Sequence, residues 1–277
     1  MRSFTVTTLV ENTAGRWRNT LGEWGLAILI DTPEGSILWD TGQGNALLPN
    51  AEALQVDLNR VSKVALSHGH YDHTGGLYSL LKSIGGREVY AGEGLFSSHC
   101  LKEREGFSFI GVPFSQLELE EAGARFHFSS EPLQLLPGVW MSGKIPRQSS
   151  FEPPEPQFYL NTPQGMQPDL LLDDRALFLE TSNGLAVVLG CAHSGFINTL
   201  EYIASFTGVR EIFAVVGGTH LMAADENRIE RTLEALKKYK VQQIGVSHCT
   251  GFKAAMALAQ EYGSRFFVNQ AGTVLNW

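Results

Sequence analysis

Cysteine is scarce in this sequence. Cys100, Cys191 and Cys249 are the three among 277 residues, too few and too scattered for a disulfide framework. They suit a reducing compartment, where thiols persist. No apolar run reaches the roughly 18 residues of a transmembrane helix. The opening residues, MRSFTVTTLVENTAG, lack the apolar stretch and small-residue cleavage site of a secretory signal. The expectation is a cytoplasmic protein with no membrane partner. Positive charge is short as well: 21 Lys and Arg stand against 29 Asp and Glu, a net charge of −8. Without a basic cluster, nucleic acid is not an expected partner. An acidic surface still admits an anionic substrate where a metal supplies local positive charge. Internal repeats and low-complexity tracts are also absent.

What is present is an ordinary globular composition, 43% hydrophobic and 18% charged, long enough to bury a large core in one domain. Short β-rich apolar runs alternate with helical patterns. The runs Phe4–Val10, Leu26–Asp31, Ser36–Trp39, Lys63–Ser67 and Glu88–Ala91 read as strands. So do Ala176–Glu180, Leu185–Gly190, Ile212–Val216, Gln243–Ser247 and Arg265–Asn269. Helices are expected near Gly75–Ile84, Asn198–Phe206, Glu226–Lys240 and Lys253–Tyr262. The third places Ile229, Leu233 and Leu236 on one face with charges between them. The stretch from about 95 to 174 differs. It carries most of the prolines, including Pro153-Pro154-Glu155-Pro156, which sustains neither a helix nor a central strand. It reads as an insertion with a few strands of its own, either a lid or substrate wall or a peripheral excursion.

The chemistry concentrates in Ser67-His68-Gly69-His70-Tyr71-Asp72-His73-Thr74-Gly75-Gly76-Leu77. Three histidines and an aspartate lie within six residues. They follow an apolar strand and precede a helix opened by small residues, so their side chains fall at the open end of a sheet. Neutral imidazoles with a carboxylate suit zinc, iron or manganese better than calcium or magnesium. His68 and His70, two apart in an extended loop, can converge on one ion. Asp72 and His73, further round the turn, can reach a second. A histidine-rich surface loop is the bland alternative, and the length and context of the motif weigh against it.

The pattern His68-x-His70-x-Asp72-His73 resembles the signature of the metallo-β-lactamase superfamily. The resemblance implies an α/β fold, in some schemes α+β: an αββα sandwich of two mixed sheets with helices outside and metals at one edge. Leu38-Trp39-Asp40-Thr41-Gly42 resembles the early strand whose aspartate supports the metal loop, a role implied for Asp40. LSHGHYDHTGGL, GCAHSGFINTL, GGTHL and SHCTG are together similar to one branch, the 7,8-dihydropterin-6-yl-methyl-4-(β-D-ribofuranosyl)aminobenzene 5′-phosphate synthases. The remaining ligands then come from His193, completing a first site with His68 and His70, and from His248, joining Asp72 and His73 at a second. His220 follows an apolar strand too and is expected as a catalytic group, a ligand, proton shuttle or substrate contact. His99 and His127 sit in the insertion without a partner motif and read as packing or surface residues.

One departure from the superfamily matters. Many two-metal members carry Gly-Asp after the strand, where the aspartate bridges both ions; here the dipeptide is Gly190-Cys191. Cys191 is read as a buried supporting residue, with ligation as a thiolate the alternative. Two divalent ions, zinc ahead of manganese or iron, are therefore expected. They would lower the pKa of a water between them and neutralise charge on a carbonyl or phosphoryl oxygen. Asp72 would orient the nucleophile as well as bind metal. Thr250 and Gly251, before the last long helix, with Ser194, are candidates for an anion contact; capping of the helix by Thr250 ranks ahead of that.

The reading that follows is a metal-dependent hydrolase, or a related metal-assisted transferase, acting on a small phosphorylated or ester-like metabolite. A di-iron redox protein would resemble relatives with a glutamate in the first motif, where this chain has His70. A ligand-binding protein that kept the fold is the non-enzymatic alternative, against which the near-complete ligand set argues. A nuclease would need basic clusters, and a secreted antibiotic-degrading lactamase would need an export signal.

Overall fold

The structure is a computed structural model that describes residues 3–16 and 18–277. Alternation along the strands decides its layers. In the hairpin of Ala176–Thr181 and Gly184–Leu189, Leu177, Leu179, Ala186 and Val188 join one buried cluster. Ala176, Phe178, Leu185, Val187 and Leu189 join another. Successive strand side chains point to opposite faces, so an unbroken apolar strand must be covered on both. The strand Ala27–Thr32 behaves alike. Ile28 and Ile30 share the cluster of Leu177 and Val188, while Ala27 and Leu29 pack with Leu77, Leu80 and Leu81 of the helix Leu77–Ile84. Two sheets therefore meet face to face, each with helices on its outer side: an αββα sandwich.

Among the described residues each main sheet has seven strands. The first runs, edge to edge, Val274–Asn276, Thr5–Val10, Ala27–Thr32, Gly35–Trp39, Val61–Ala65, Arg87–Ala91 and Ala124–Phe128. The second runs Phe266–Val268, Gln243–Ser247, Ile212–Gly218, Gly184–Leu189, Ala176–Thr181, Val139–Met141 and Leu133–Leu136. Both are mixed. Gly35–Trp39, Val61–Ala65 and Arg87–Ala91 pair parallel, as do Gly184–Leu189, Ile212–Gly218 and Gln243–Ser247. Parallel neighbours end at the same edge, so the loops after them gather there.

Each strand and helix expected from the pattern is present, most with ends displaced by a residue or two; the helix Glu226–Leu236 tightens into a 3₁₀ turn, Lys237–Tyr239, over its expected last residues. The segment 95–174 divides. Ala124–Phe128 extends the first sheet beside Arg87–Ala91, and Leu133–Leu136 with Val139–Met141 extends the second. The remainder, His99–Glu103, Gly106–Phe109, Phe158–Thr162 and Gly165–Pro168, makes a separate four-stranded antiparallel sheet. The short helix Gln116–Glu121 starts from a reciprocal capping box between Ser115 and Glu118. No described helix is long and apolar enough to cross a membrane.

Candidate metal centre

Five strand ends supply the site. Asp40 follows Gly35–Trp39, the loop His68–His70 follows Val61–Ala65, His193 follows Gly184–Leu189, His220 follows Ile212–Gly218, and His248 follows Gln243–Ser247. Asp72 and His73 lie in the single helical turn Tyr71–Thr74. Four non-glycine residues at this edge turn with left-handed backbone: Asp40 (φ 60°), Ala192 (58°), His220 (51°) and His248 (52°). Such conformations are unfavourable for residues with a Cβ and persist where the surroundings enforce them, as at functional sites.

The side chains converge in two groups. Nε2 of His68 lies 3.0 Å from Nδ1 of His70 and 3.2 Å from Nε2 of His193. Ligand nitrogens on one tetrahedral zinc stand about 3.3 Å apart, given Zn–N bonds of about 2.0–2.1 Å. In the second group, Nε2 of His73 is 3.3 Å from Nε2 of His248, and Oδ2 of Asp72 is 3.2 Å from His248 and 3.8 Å from His73. The outer faces of the rings fix their tautomers. Nδ1 of His73 lies 2.7 Å from Oδ2 of Asp40, and a carboxylate only accepts, so His73 donates there. The Ser67 hydroxyl donates to Asp40 at 2.8 Å and so accepts from Nδ1 of His68 at 2.8 Å. Nδ1 of His248 faces Oδ1 of Asn12 at 2.9 Å. Each of these rings thus turns its Nε2 inward, the nitrogen left free to ligate whenever the ring is neutral. Buried ring nitrogens converging to about 3 Å stand close to the spacing of ligands on one cation, and that is what this donor set fits.

The sequence profile of the metallo-beta-lactamase superfamily matches residues 25–196. The chain belongs to the metallo-beta-lactamase superfamily. Within it, a Methanocaldococcus jannaschii protein named 7,8-dihydropterin-6-methyl-4-(beta-D-ribofuranosyl)-aminobenzene-5′-phosphate synthase is 32% identical, over 98% of this chain and 95% of its own length. A second, uncharacterised protein of that organism is 31% identical, over 91% of this chain and 93% of its own. A crystal structure of a metal-dependent hydrolase of the beta-lactamase superfamily superposes with a TM-score of 0.86 at 27% identity, covering 98% of each chain. Zinc-bound PqqB of Methylobacterium extorquens shares the fold at a TM-score of 0.59 and 12% identity, over 98% of this chain and 99% of that one.

The electrostatics of this superfamily member separate the two groups. Burial, reinforced by the neighbouring rings, drives His68 and His193 well below the usual histidine range. Burial does the same to His70, although Asp72 opposes it. All three are then neutral and free to ligate. In the second group burial works against charge on His73, yet Asp40 and Asp72 hold it up to about 9. Burial disfavours ionised Asp72, but His73 and His248 outweigh that and keep it well below the carboxylate range. A field that retains a proton on His73 attracts a metal cation equally.

Several supporting residues carry no sequence signal. Asp173 accepts the backbone N–H of Gly69 at 2.7 Å, and Asp174 accepts that of Ser194 at 2.8 Å; these adjacent carboxylates pin the loops of His68–His70 and His193. Glu11 accepts the N–H of His248 at 2.7 Å. None belongs to a sequence motif, because each acts through the backbone of a distant loop. His99 is not a bland packing residue: it is buried, 2.6 Å from Oδ2 of Asp169, with its ring 5.4 Å from that of His70. His127 is exposed and bonds Glu88. Gly190 must be glycine, since a Cβ there would collide with Ser67, the bridge between Asp40 and His68.

The anion candidates are engaged otherwise. The Thr250 hydroxyl bonds Oγ1 of Thr219 at 3.0 Å, and the helix Phe252–Tyr262 starts from Gly251 with no side-chain cap, so Thr250 does not cap it. Ser194 is buried against Asp174. None of Ser194, Thr250 and Gly251 lines the cavity over the converging rings. That cavity holds about 330 Å³ between the histidines and Trp24, Tyr71, Leu101, Ile110, Phe158 and Met222. Among the described residues no lysine or arginine lines it. Glu155, from the proline run, and His220 face it with Nε2 and Oε1 3.0 Å apart. Burial lowers and Cys249 and Glu155 raise the His220 pKa, the balance reaching about 10. A cavity of about 390 Å³ on the far side of His99 contacts none of the converging ligand atoms. Cys191 is buried, with Sγ 3.1 Å from Nε2 of His73.

Proposed function

We propose that this chain is a metal-dependent hydrolase acting on a small metabolite, with one ion held by His68, His70 and His193 and a second by Asp72, His73 and His248. The observation that carries this reading is the convergence of buried ring nitrogens to about 3 Å, close to the spacing of ligands on one ion. Zinc is the ion we propose, on the chemistry of an imidazole-rich donor set. Such ions polarise a carbonyl or phosphoryl oxygen and lower the pKa of water. The residues of the chain do the rest. Asp40, Ser67 and Asn12 fix the ring tautomers. Asp72 orients the attacking group between the two triads. His220, with its ring centroid 4.1 Å from that of His193 and Glu155 behind it, presents a proton to the substrate. Leu101, Ile110 and Phe158, from the 95–174 segment, wall the cavity and exclude bulk water.

The substrate we infer has a flat apolar part beside the reacting bond, because Trp24, Phe158 and Ile110 offer no charged partner. A phosphate would be held by the ions and by protonated His220, since among the described residues no lysine or arginine lines the cavity. A transfer reaction is the second reading. It is favoured by the methanogen relative, whose name describes a synthase whose product joins pterin, aminobenzene and ribose phosphate parts.

The test is metal content of protein purified without added metal or chelator, paired with turnover on phosphodiester, phosphomonoester and lactone substrates. One to two equivalents of zinc and a hydrolytic rate abolished by His68→Ala support the hydrolase. Metal without hydrolysis of any of the three classes favours transfer. Absence of metal after reconstitution removes both readings.

A further inference from the structure

The two proposed triads need something between them, and the position that would supply a bridge holds a thiol. Sγ of Cys191 is 3.1 Å from Nε2 of His73. Its ligand atom lies within 4.8 Å of those of His68 and His73, of His193 and His220, and of His248 and Cys249. It therefore reaches members of both triads. Cys249 groups only with Cys191 and His248, and its sulfur already accepts the backbone N–H of His220 at 3.3 Å. Both cysteines are buried, and Gly218 lies close against them: a Cβ there would stand 2.6 Å from Sγ of Cys249 and 3.4 Å from Cα of Cys191. Ligand atoms on one tetrahedral zinc stand about 3.3–3.6 Å apart when one is sulfur, from Zn–S of about 2.3 Å. The Cys191 sulfur, 3.1 Å from Nε2 of His73, stands a few tenths of an ångström inside that spacing, near enough for both to turn to one ion.

We propose that Cys191 ligates as a thiolate shared between the two ions, and that this thiolate makes the centre selective for thiophilic metals. The inference rests on the two-ion reading above and goes beyond it. On ligation the thiol loses its proton to solvent and forms a metal–sulfur bond. Cys249 stands behind it as a neighbour that never enters the coordination shell. A thiolate in place of a carboxylate favours zinc, cobalt, iron and cadmium and disfavours manganese and magnesium, which prefer oxygen. The nitrogen-rich triads alone discriminate less sharply.

The probe is cobalt(II), which reports a sulfur ligand directly through a thiolate-to-cobalt charge-transfer band in the near ultraviolet. Metal-free full-length chain is titrated with cobalt, and bound metal is measured beside the spectrum. The expected result is a band that grows with cobalt uptake, vanishes in Cys191→Ser and persists in Cys249→Ser. Cys191→Asp should retain two equivalents of metal, lack the band, and lose at least about tenfold in cadmium-over-manganese preference, the lower end of what even a supporting partner contributes to metal affinity. Cobalt bound with visible ligand-field absorption but no charge-transfer band overturns the thiolate while leaving the metal centre standing. A band that survives Cys191→Ser and is lost in Cys249→Ser overturns it in favour of the other sulfur. Failure of the wild-type chain to take up cobalt at all overturns the two-ion reading and this inference together. Cys191→Asp guards against a serine variant that misfolds, because its metal content reports an intact site.

Discussion

The Asp40 carboxylate holds both ends of the histidine loop that follows a neighbouring strand: it lies 2.7 Å from Nδ1 of His73 and accepts the backbone N–H of Ser67 at 2.7 Å. It thus sets the tautomer of one ring while holding the start of the loop that carries two others. Asp40 also adopts φ 60°, which asparagine tolerates better than most residues. Asp40→Asn should therefore fold but lose the charge that orients His73. Metal affinity at the second site is expected to fall about 10–100-fold, as for other supporting partners, read by competitive chelator titration, with far-ultraviolet circular dichroism unchanged.

The two triads predict separable stoichiometry. His193→Ala should remove one equivalent of metal and His248→Ala the other, each leaving the second bound, measured by elemental analysis after gel filtration. Turnover should fall by at least about 100-fold in both, since an alanine leaves no donor. Loss of both ions from either variant would show instead that the sites fill only together.

Asp174 gives a pH signature. Burial pushes its carboxyl up to about 6 from an ordinary 3.8, against hydrogen bonds from Ser194, and its Oδ1 has no partner. The folded state then holds the proton more tightly than the unfolded one. Between about pH 4 and pH 6 the unfolded chain ionises first, so this group's contribution to stability falls as pH rises. The expected loss is roughly 3 kcal/mol, because a tenfold difference in proton affinity between the folded and unfolded chains is worth about 1.36 kcal/mol. Asp174→Asn keeps an acceptor for Ser194 and cannot ionise. Urea unfolding at about pH 4.5, near the bottom of that window, and at about pH 7, above it, should show the variant gaining relative to wild type at the higher pH. A constant difference across the two would mean the carboxyl titrates normally.

Phe178 separates stability from chemistry. It is fully buried under the second sheet, stacked with Trp140 at a centroid distance of 6.1 Å and remote from the metal ligands. Phe178→Ala should cost about 3–5 kcal/mol by denaturant titration, while metal content at low temperature stays that of wild type.

Much of the site is legible in the sequence because its residues are local. His68, His70, Asp72 and His73 fall within one loop and turn, where spacing alone limits where side chains go. Their supporting carboxylates are not. Asp173, Asp174 and Glu11 act on backbone amides of other loops, and no sequence pattern encodes which amide a distant carboxylate will meet. His99 looks isolated in the sequence for the same reason: its partner Asp169 is 70 residues away. The 95–174 stretch is legible only in part, because Ala124–Phe128 and Val139–Met141 join the main sheets by pairing with strands whose edges the sequence does not label as open.

By itself, then, the sequence determined that its central strands are covered on both faces, since they are apolar on both, while the αββα order came from the family resemblance; it also determined the donor types of the candidate metal centre. Tertiary structure decided which donor atoms converge, which ring nitrogen faces inward, and that the sulfur of Cys191 comes within 4.8 Å of ligand atoms from both triads, each of which takes residues from both sheets. Those are facts of distance between strand ends, and the parallel pairing that brings the ends together is fixed only when both sheets close on their common core.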